Sequence, residues 1–167
     1  SDRSKGTDLW KLLPDGTALP FLVSPASKVA GQFSPDGRII AYVSDESGRN
    51  EVYLRSVTNP IDSVAVTSDG GREPLWSPDG KELFYRRGDS FFSVRVTSSS
   101  PVSLGDTRKL FDLKGAASGR SPMHAGYAVS PDGQRFLVLR LDPRAIPTQI
   151  NVVLNWFEEL KAKVPAK

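Results

Sequence analysis

The side chains with the most chemical reach in this sequence are one histidine, a recurring aspartate, two adjacent carboxylate pairs and one arginine pair. His124 is the only histidine, and cysteine is absent. Thiolate metal sites and cysteine nucleophiles are therefore excluded. A serine nucleophile working with His124 would be expected in a sequence such as G-x-S-x-G, and no serine here has that setting. His124 reads as a loop or strand-edge residue. The pairs Asp45/Glu46 and Glu158/Glu159 could act as acid and base only if two carboxyls faced each other across a cleft. The first pair flanks a polar turn. The second lies near the start of a helical segment, where acids favour the helix dipole. Asp36, Asp79 and Asp132 each stand alone, without the dense run of oxygens that a calcium loop requires. The glycine-rich stretch 115–119 lacks the Lys-Ser/Thr of a phosphate loop and reads as a connector. The sequence predicts no metal site and no cofactor.

The three aspartates share one setting. Ser-Pro-Asp-Gly occurs at Ser34–Gly37, Ser77–Gly80 and Ser130–Gly133, each copy between short apolar or aromatic runs. Pro presets φ at the second position of a type I turn, Asp suits the third, and Gly accepts the left-handed conformation that ends it. Such a turn closes a β-hairpin with a bulge. The first two copies start 43 residues apart and the last two 53 apart, near the period of roughly 40–45 residues that marks a four-stranded propeller blade.

The strands follow from the turns. After Ser34 the pattern predicts strands over Arg38–Ser44, Glu51–Val57 and Ser63–Thr67. After Ser77 it predicts Glu82–Arg87, Phe91–Val96 and Lys109–Leu113, with surface loops at Thr97–Asp106 and Lys114–Pro122. After Ser130 it predicts Gln134–Leu141 and Gln149–Leu154. Asn155 then caps a short amphipathic helix that Pro165 stops. Ahead of the first copy, Asp8–Leu13 and Leu19–Val23 read as the last two strands of a preceding blade. The reading is one partial propeller domain over residues 1–167: a half-blade at 8–23, blades at 31–67, 73–113 and 126–155, and a helix at 156–163.

The 167 residues suffice for one domain with a true core. A net charge of +3 with acids and bases interspersed gives no support to nucleic-acid binding. The longest apolar run, Ile39–Val43, is far too short to cross a bilayer as a helix. The amino terminus is not a signal peptide and leads straight into a strand-like segment, so the chain reads as cut from a longer polypeptide.

The runs Gln32-Phe-Ser-Pro-Asp-Gly-Arg-Ile-Ile-Ala-Tyr-Val-Ser and Leu75-Trp-Ser-Pro-Asp-Gly-Lys-Glu-Leu-Phe-Tyr resemble the TolB-type, WD-repeat-like β-propeller repeat. The ending, Val152-Val-Leu-Asn-Trp-Phe-Glu-Glu-Leu-Lys, is similar to that of propellers attached to bacterial serine/threonine protein kinases. The resemblance implies an all-β binding platform with six blades when complete, in a bacterial sensor or envelope protein at a periplasmic or extracytoplasmic location. Against that pattern the chain supplies about three and a half blades, half a ring. Bare blade faces call for cover, so two copies closing one ring are expected.

The function expected is protein–protein recognition without catalysis. Candidate binding residues are Arg86 and Arg87, the basic pair with the most exposed aspect beside the Gly88-Asp-Ser turn, and the aromatics Trp76 and Tyr127; Arg and aromatic residues anchor interfaces. Two alternatives are a propeller gating a prolyl-oligopeptidase-like hydrolase and a carbohydrate-binding lectin. The first is disfavoured because the terminal helix leaves no room for a hydrolase domain. The second is disfavoured because only the turn aspartate repeats.

Overall fold

Alternation of apolar side chains along strands punctuated by Pro-Asp-Gly turns can only bury both of its faces if sheets stack, and stacked sheets are what forms. The computed structural model describes residues 6–59, 61–116 and 125–140. They contain twelve strands: β1 Leu9–Leu12, β2 Ala18–Leu22, β3 Lys28–Phe33, β4 Ile39–Ser44, β5 Glu51–Ser56, β6 Ser63–Ala65, β7 Arg72–Trp76, β8 Glu82–Arg87, β9 Ser90–Ser99, β10 Val102–Asp112, β11 Tyr127–Val129 and β12 Phe136–Val138. They group in chain order into a two-stranded sheet (β1–β2), two four-stranded sheets (β3–β6 and β7–β10) and a final two-stranded sheet (β11–β12). Every neighbouring pair is antiparallel. The fold is all-β, a partial propeller. Among the described residues there is no helix, hence none long and apolar enough to cross a membrane. The expected helix at 156–163, the strand Gln149–Leu154, His124 and Glu158/Glu159 lie outside the described residues.

Strand β4 shows how one sequence serves two interfaces. Ile39, Ala41 and Val43 point to one side, into a core shared with Leu83, Tyr85, Phe92 and Val94 of the third sheet. Ile40 and Tyr42 point to the other, into a core shared with Leu9, Phe21 and Leu22 of the first sheet. β8 and β9 repeat the device: Leu83, Tyr85, Phe92 and Val94 face the second sheet, while Phe84 and Phe91 face the fourth, with Tyr127 and Phe136. A strand buried on both faces reads as a continuous apolar run rather than an alternation, which is why Ile39–Val43 is uninterrupted. Aromatic stacks fasten the pairs, Tyr42 on Tyr53 at 5.6 Å and Tyr85 on Phe92 at 5.3 Å between ring centres.

The segment 97–106 differs from its expected form. It is not a surface loop: β9 runs to Ser99 and β10 begins at Val102, the two pairing with repeated register shifts. Val102 is buried and its amide donates to both carboxylate oxygens of Asp62, at 2.9 and 3.1 Å. A serine-rich composition concealed a hairpin extension held by the neighbouring sheet.

Candidate binding surface and the sites beside it

The Ser-Pro-Asp-Gly turns join the first and second strands of their sheets and fold identically. In each, the serine hydroxyl donates to the aspartate two residues on and accepts from the amide five residues on. The donations are Ser34 to Asp36 at 2.6 Å and Ser77 to Asp79 at 2.7 Å, with Ser130 bonded likewise to Asp132. The acceptances come from Ile39, Glu82 and Arg135 at 3.0, 2.9 and 2.9 Å. The same aspartates take the amides of Arg38, Lys81 and Gln134 at 3.1, 3.1 and 3.0 Å. These bonds, the serine hydroxyl's first, hold all three carboxyls below their ordinary value. The serine hydroxyl and one carboxylate oxygen of each aspartate are spent on the turn itself, so this is a structural unit. The turns also stack: a Cβ at Gly80 would stand 3.3 Å from Pro35 Cδ, and one at Gly133 would stand 3.7 Å from Pro78 Cδ.

The opposite end carries the turns between second and third strands, because antiparallel neighbours reverse direction. There Asp69 receives Arg49 of the second sheet at 3.9 Å and Arg87 of the third at 3.4 Å. Arg87 lies over the ring of Phe92, 4.8 Å from its centre, a contact that holds a guanidinium in place at the surface. Behind Arg49, Glu51 is buried and accepts from Thr67 and from the Gly70 amide at 2.8 Å, with Arg49 itself 3.2 Å away. The expected pair Asp45/Glu46 is split in the same neighbourhood: Asp45 accepts from the Ser27 amide at 2.8 Å, while Glu46 lies 3.4 Å from buried Lys28. Neither carboxylate faces the other across a cleft. The phenol of Tyr42, buried near Glu46, is pushed up to about 12, by burial first and by that carboxylate second.

Between the third and fourth sheets lies a buried charge centre. Glu73 takes the Arg86 guanidinium at 3.3 Å and the Gly126 amide at 2.9 Å on one oxygen. Arg86 also donates to the carbonyls of Gly88 and Ala116 at 3.2 and 3.3 Å and lies 5.0 Å over Phe91. The Tyr127 hydroxyl donates to the Glu73 carbonyl at 2.9 Å, and burial together with the Glu73 charge raises it well above an ordinary phenol. Toward the turn end, the same two sheets part into an open cleft of about 1230 Å³. Phe84, Val96, Leu110 and Phe136 line it, with Arg95 and Arg108 among its polar residues.

The four candidate residues thus separate. Arg87 is at the surface, with 47 % of its side chain exposed. Arg86 is a correction: instead of an exposed partner to Arg87 it is 1 % exposed, because alternate residues of β8 face opposite ways and its face meets the fourth sheet. Trp76 is buried in the core between the second and third sheets, its indole donating to the Gln32 carbonyl at 3.4 Å. Tyr127 is buried against Phe91 at 5.2 Å. Sequence reasoning missed Glu73, Lys28 and Glu51, all buried. The signal for Glu73 was its place four residues ahead of Ser77, where the first copy has Ala30.

No protein-family model matches the chain. Among curated proteins it is similar to dipeptidyl aminopeptidase BIII of Pseudoxanthomonas mexicana, 28% identical over 132 residues that cover 75% of this chain and 18% of that protein. It is also similar to the Tol-Pal system protein TolB of Alcanivorax borkumensis, 43% identical over 53 residues that cover 30% of this chain and 12% of that one. The chain therefore spans less than a fifth of either relative. Among solved structures, TolB from Acinetobacter baumannii is similar at 19% identity and a TM-score of 0.44, over 81% of this chain and 43% of that one. Stacked four-stranded antiparallel sheets in chain order, each with its first two strands joined by the same turn, give the described residues a partial β-propeller fold, and the chain is similar to TolB in sequence over 30% of its length.

Proposed function

We propose that the chain is a non-catalytic propeller module, one unit over residues 1–167, that recognises a protein partner in an extracytoplasmic compartment. The surface assigned to recognition is the end carrying Arg49, Asp69 and Arg87. The observation that carries this reading is Arg87 itself, exposed yet held over Phe92 and tied to Asp69. A guanidinium ordered before binding loses little freedom when a partner arrives, and arginine backed by an aromatic ring is a common interface anchor. The likeness to a Tol-Pal system protein favours both the compartment and a protein partner. Exposed apolar side chains on the first and last described sheets, Trp10 and Leu12, Leu137 and Leu139, favour self-association, two copies closing a six-bladed ring. The test is capture of purified Tol and Pal proteins, and of a periplasmic extract, on the immobilised chain. Arg87→Glu is expected to abolish capture without changing the melting temperature by more than a few degrees. Capture that survives this substitution, or none by the unsubstituted chain, overturns the assignment.

A second reading has its own observation. The likeness to a dipeptidyl aminopeptidase extends over 75% of the chain, which favours a propeller that gates a peptidase domain. Hydrolysis of dipeptidyl chromogenic substrates by the full protein carrying this chain supports that reading; inactivity on a broad dipeptide panel removes it.

A further inference from the structure

Asp69 stands in the link between the second and third sheets, and each of its carboxylate oxygens meets a different arginine. Oδ1 faces Arg49 Nη1 at 3.9 Å and Oδ2 faces Arg87 Nη1 at 3.4 Å. Every residue concerned belongs to the two complete sheets, their turns and that link. The blade itself does not demand this arrangement. Counted from the turn serine, the second sheet has Ala26 and Ser44 where the third has Asp69 and Arg87.

Each guanidinium is anchored from behind without help from Asp69. Arg49 Nε lies 3.2 Å from Glu51, a buried carboxylate fixed in turn by the Thr67 hydroxyl and the Gly70 amide. Arg87 lies over the ring of Phe92, 4.8 Å from its centre. Asp69 is the loose member. The Gly70 and Gly71 amides tie the backbone of the link to Glu51 and to the Asn50 carbonyl. Among the described residues only the two arginines hold the Asp69 side chain, which is 75% exposed. Two arginines fixed by the protein thus converge on a carboxylate that leaves at little cost, because exposed ion pairs contribute little.

We propose that this junction is a carboxylate-binding site occupied in the free protein by Asp69, and that an aspartate or glutamate side chain of the partner displaces Asp69 to sit between Arg49 and Arg87. This rests on the recognition reading above and names the chemistry of what is recognised, an acidic segment of a protein. The choice of a carboxylate follows from the site as built, in which one carboxylate already spans both guanidiniums with an oxygen to each. The exchange also keeps the charges balanced: Glu51 stays paired with Arg49, and the incoming group replaces the charge of Asp69. Asp69 thereby sets a threshold. An isolated carboxylate in solution competes poorly with a group tethered beside the site, whereas a segment that makes further contacts can displace it.

The probe is a fluorescein-labelled peptide of four glutamates, with a four-glutamine peptide as control. Both are titrated by fluorescence anisotropy at low ionic strength, where exposed charges are least screened. Asp69→Asn keeps the shape of the side chain and removes its charge. It is expected to bind the glutamate peptide about two- to five-fold more tightly than the unsubstituted chain does, the shift an exposed ion pair supplies, and to leave the glutamine peptide unbound. Asp106→Asn makes the same change in net charge at an exposed position in the middle of the edge strand β10, and is expected to leave the affinity unchanged. Adding Arg87→Lys to Asp69→Asn keeps the charge but removes the planar guanidinium stacked on Phe92, and should cancel the gain. Asp69→Asn binding no more tightly than the unsubstituted chain, or Asp106→Asn matching it, overturns the displacement; Asp69 is then a tie between sheets, and its loss shows only as a lower melting temperature. A phosphoserine peptide of equal charge that binds Asp69→Asn more tightly than the glutamate peptide overturns the choice of carboxylate. The recognition reading is judged separately. Capture of Tol or Pal proteins that needs Arg87 but is unchanged by Asp69→Asn keeps that reading and overturns this one, and a gain in peptide binding with no protein captured does the reverse.

Discussion

The second-to-third and third-to-fourth sheet interfaces occupy the same repeat positions but are built from different chemistry. Four residues before the turn serine and nine after it, the second sheet presents Ala30 and Val43; the third presents Glu73 and Arg86. Ala30 and Glu73 even share a left-handed backbone, at φ 55° and 56°, each at a register shift in its strand. The first pair belongs to an apolar core. The second is an ion pair whose carboxylate also takes the Gly126 amide, and whose guanidinium also holds the Ala116 carbonyl. The difference teaches that the geometry of the blade tolerates either solution. What the ionic solution adds is polar attachment of the chain on both sides of the link between the third and fourth sheets, through two backbone groups that apolar side chains could not satisfy.

The largest effect should come from breaking that pair on one side. Arg86→Val leaves Glu73 buried without its guanidinium, at an expected cost of about 3–5 kcal/mol, read as a lowered midpoint in urea. Glu73→Ala/Arg86→Val, which installs the second sheet's pair in the third, should recover a substantial part of that loss. A double variant no better than the single one shows that the bonds to Ala116 and Gly126, rather than the ion pair, are what the interface needs. In the apolar interface a single change for comparison is Leu54→Ala. Leu54 is fully buried, so about 2–5 kcal/mol is expected from lost contacts and the cavity left behind, and no second substitution nearby should restore it.

A smaller effect compares how closely the two interfaces are packed at their turns. Gly80 and Gly133 both have φ 71°, so alanine at either position meets the same backbone penalty of roughly 1–2 kcal/mol. Only at Gly80 does the new methyl come within 3.3 Å of a proline in the preceding turn; at Gly133 the gap is 3.7 Å. Gly80→Ala should therefore melt lower than Gly133→Ala. Equal melting temperatures mean that Pro35 moves aside freely and that the turns do not support one another.

The turns, the strand order and the sheet count were legible because a Pro-Asp-Gly turn is set by local chemistry, and its recurrence by the blade period. The identity of the faces was partly legible: Ile39–Val43 had to be buried on both sides because no polar residue interrupts it. Arg86 was not legible. Beside Arg87 and a glycine turn it has the sequence of an exposed tip, and its burial depends on a carboxylate thirteen residues away across the sheet. The hairpin at 97–106 was hidden for the same reason, since the Asp62 carboxylate that fixes Val102 comes from the neighbouring blade. Long-range partners decide these positions, and local composition carries no trace of them.

The smallest expected effect distinguishes the turns by pH. The carboxyls of Asp36, Asp79 and Asp132 lie below their ordinary value of 3.8, chiefly through the serine hydroxyl and then the amide two residues on. A depressed folded-state value means that the native state holds the charged form more firmly than the unfolded chain does. The associated stability is present above the ordinary value and is lost as pH falls through the lowered one. Thermal melts between neutral pH and the acid side of that value should therefore fall. Ser77→Ala removes the hydroxyl donor, so Asp79 returns toward its ordinary behaviour, and the variant's deficit relative to the unsubstituted chain should shrink as pH falls. A constant offset must remain, because the same hydroxyl also accepts from the Glu82 amide at 2.9 Å, a bond indifferent to pH in this range. Ser130→Ala at the other interface should behave alike, with its Arg135 amide in that role. Its offset should be smaller, because the turn is exposed there and water can replace the lost acceptor. If both deficits stay constant with pH, the aspartates are not what the serines hold in place.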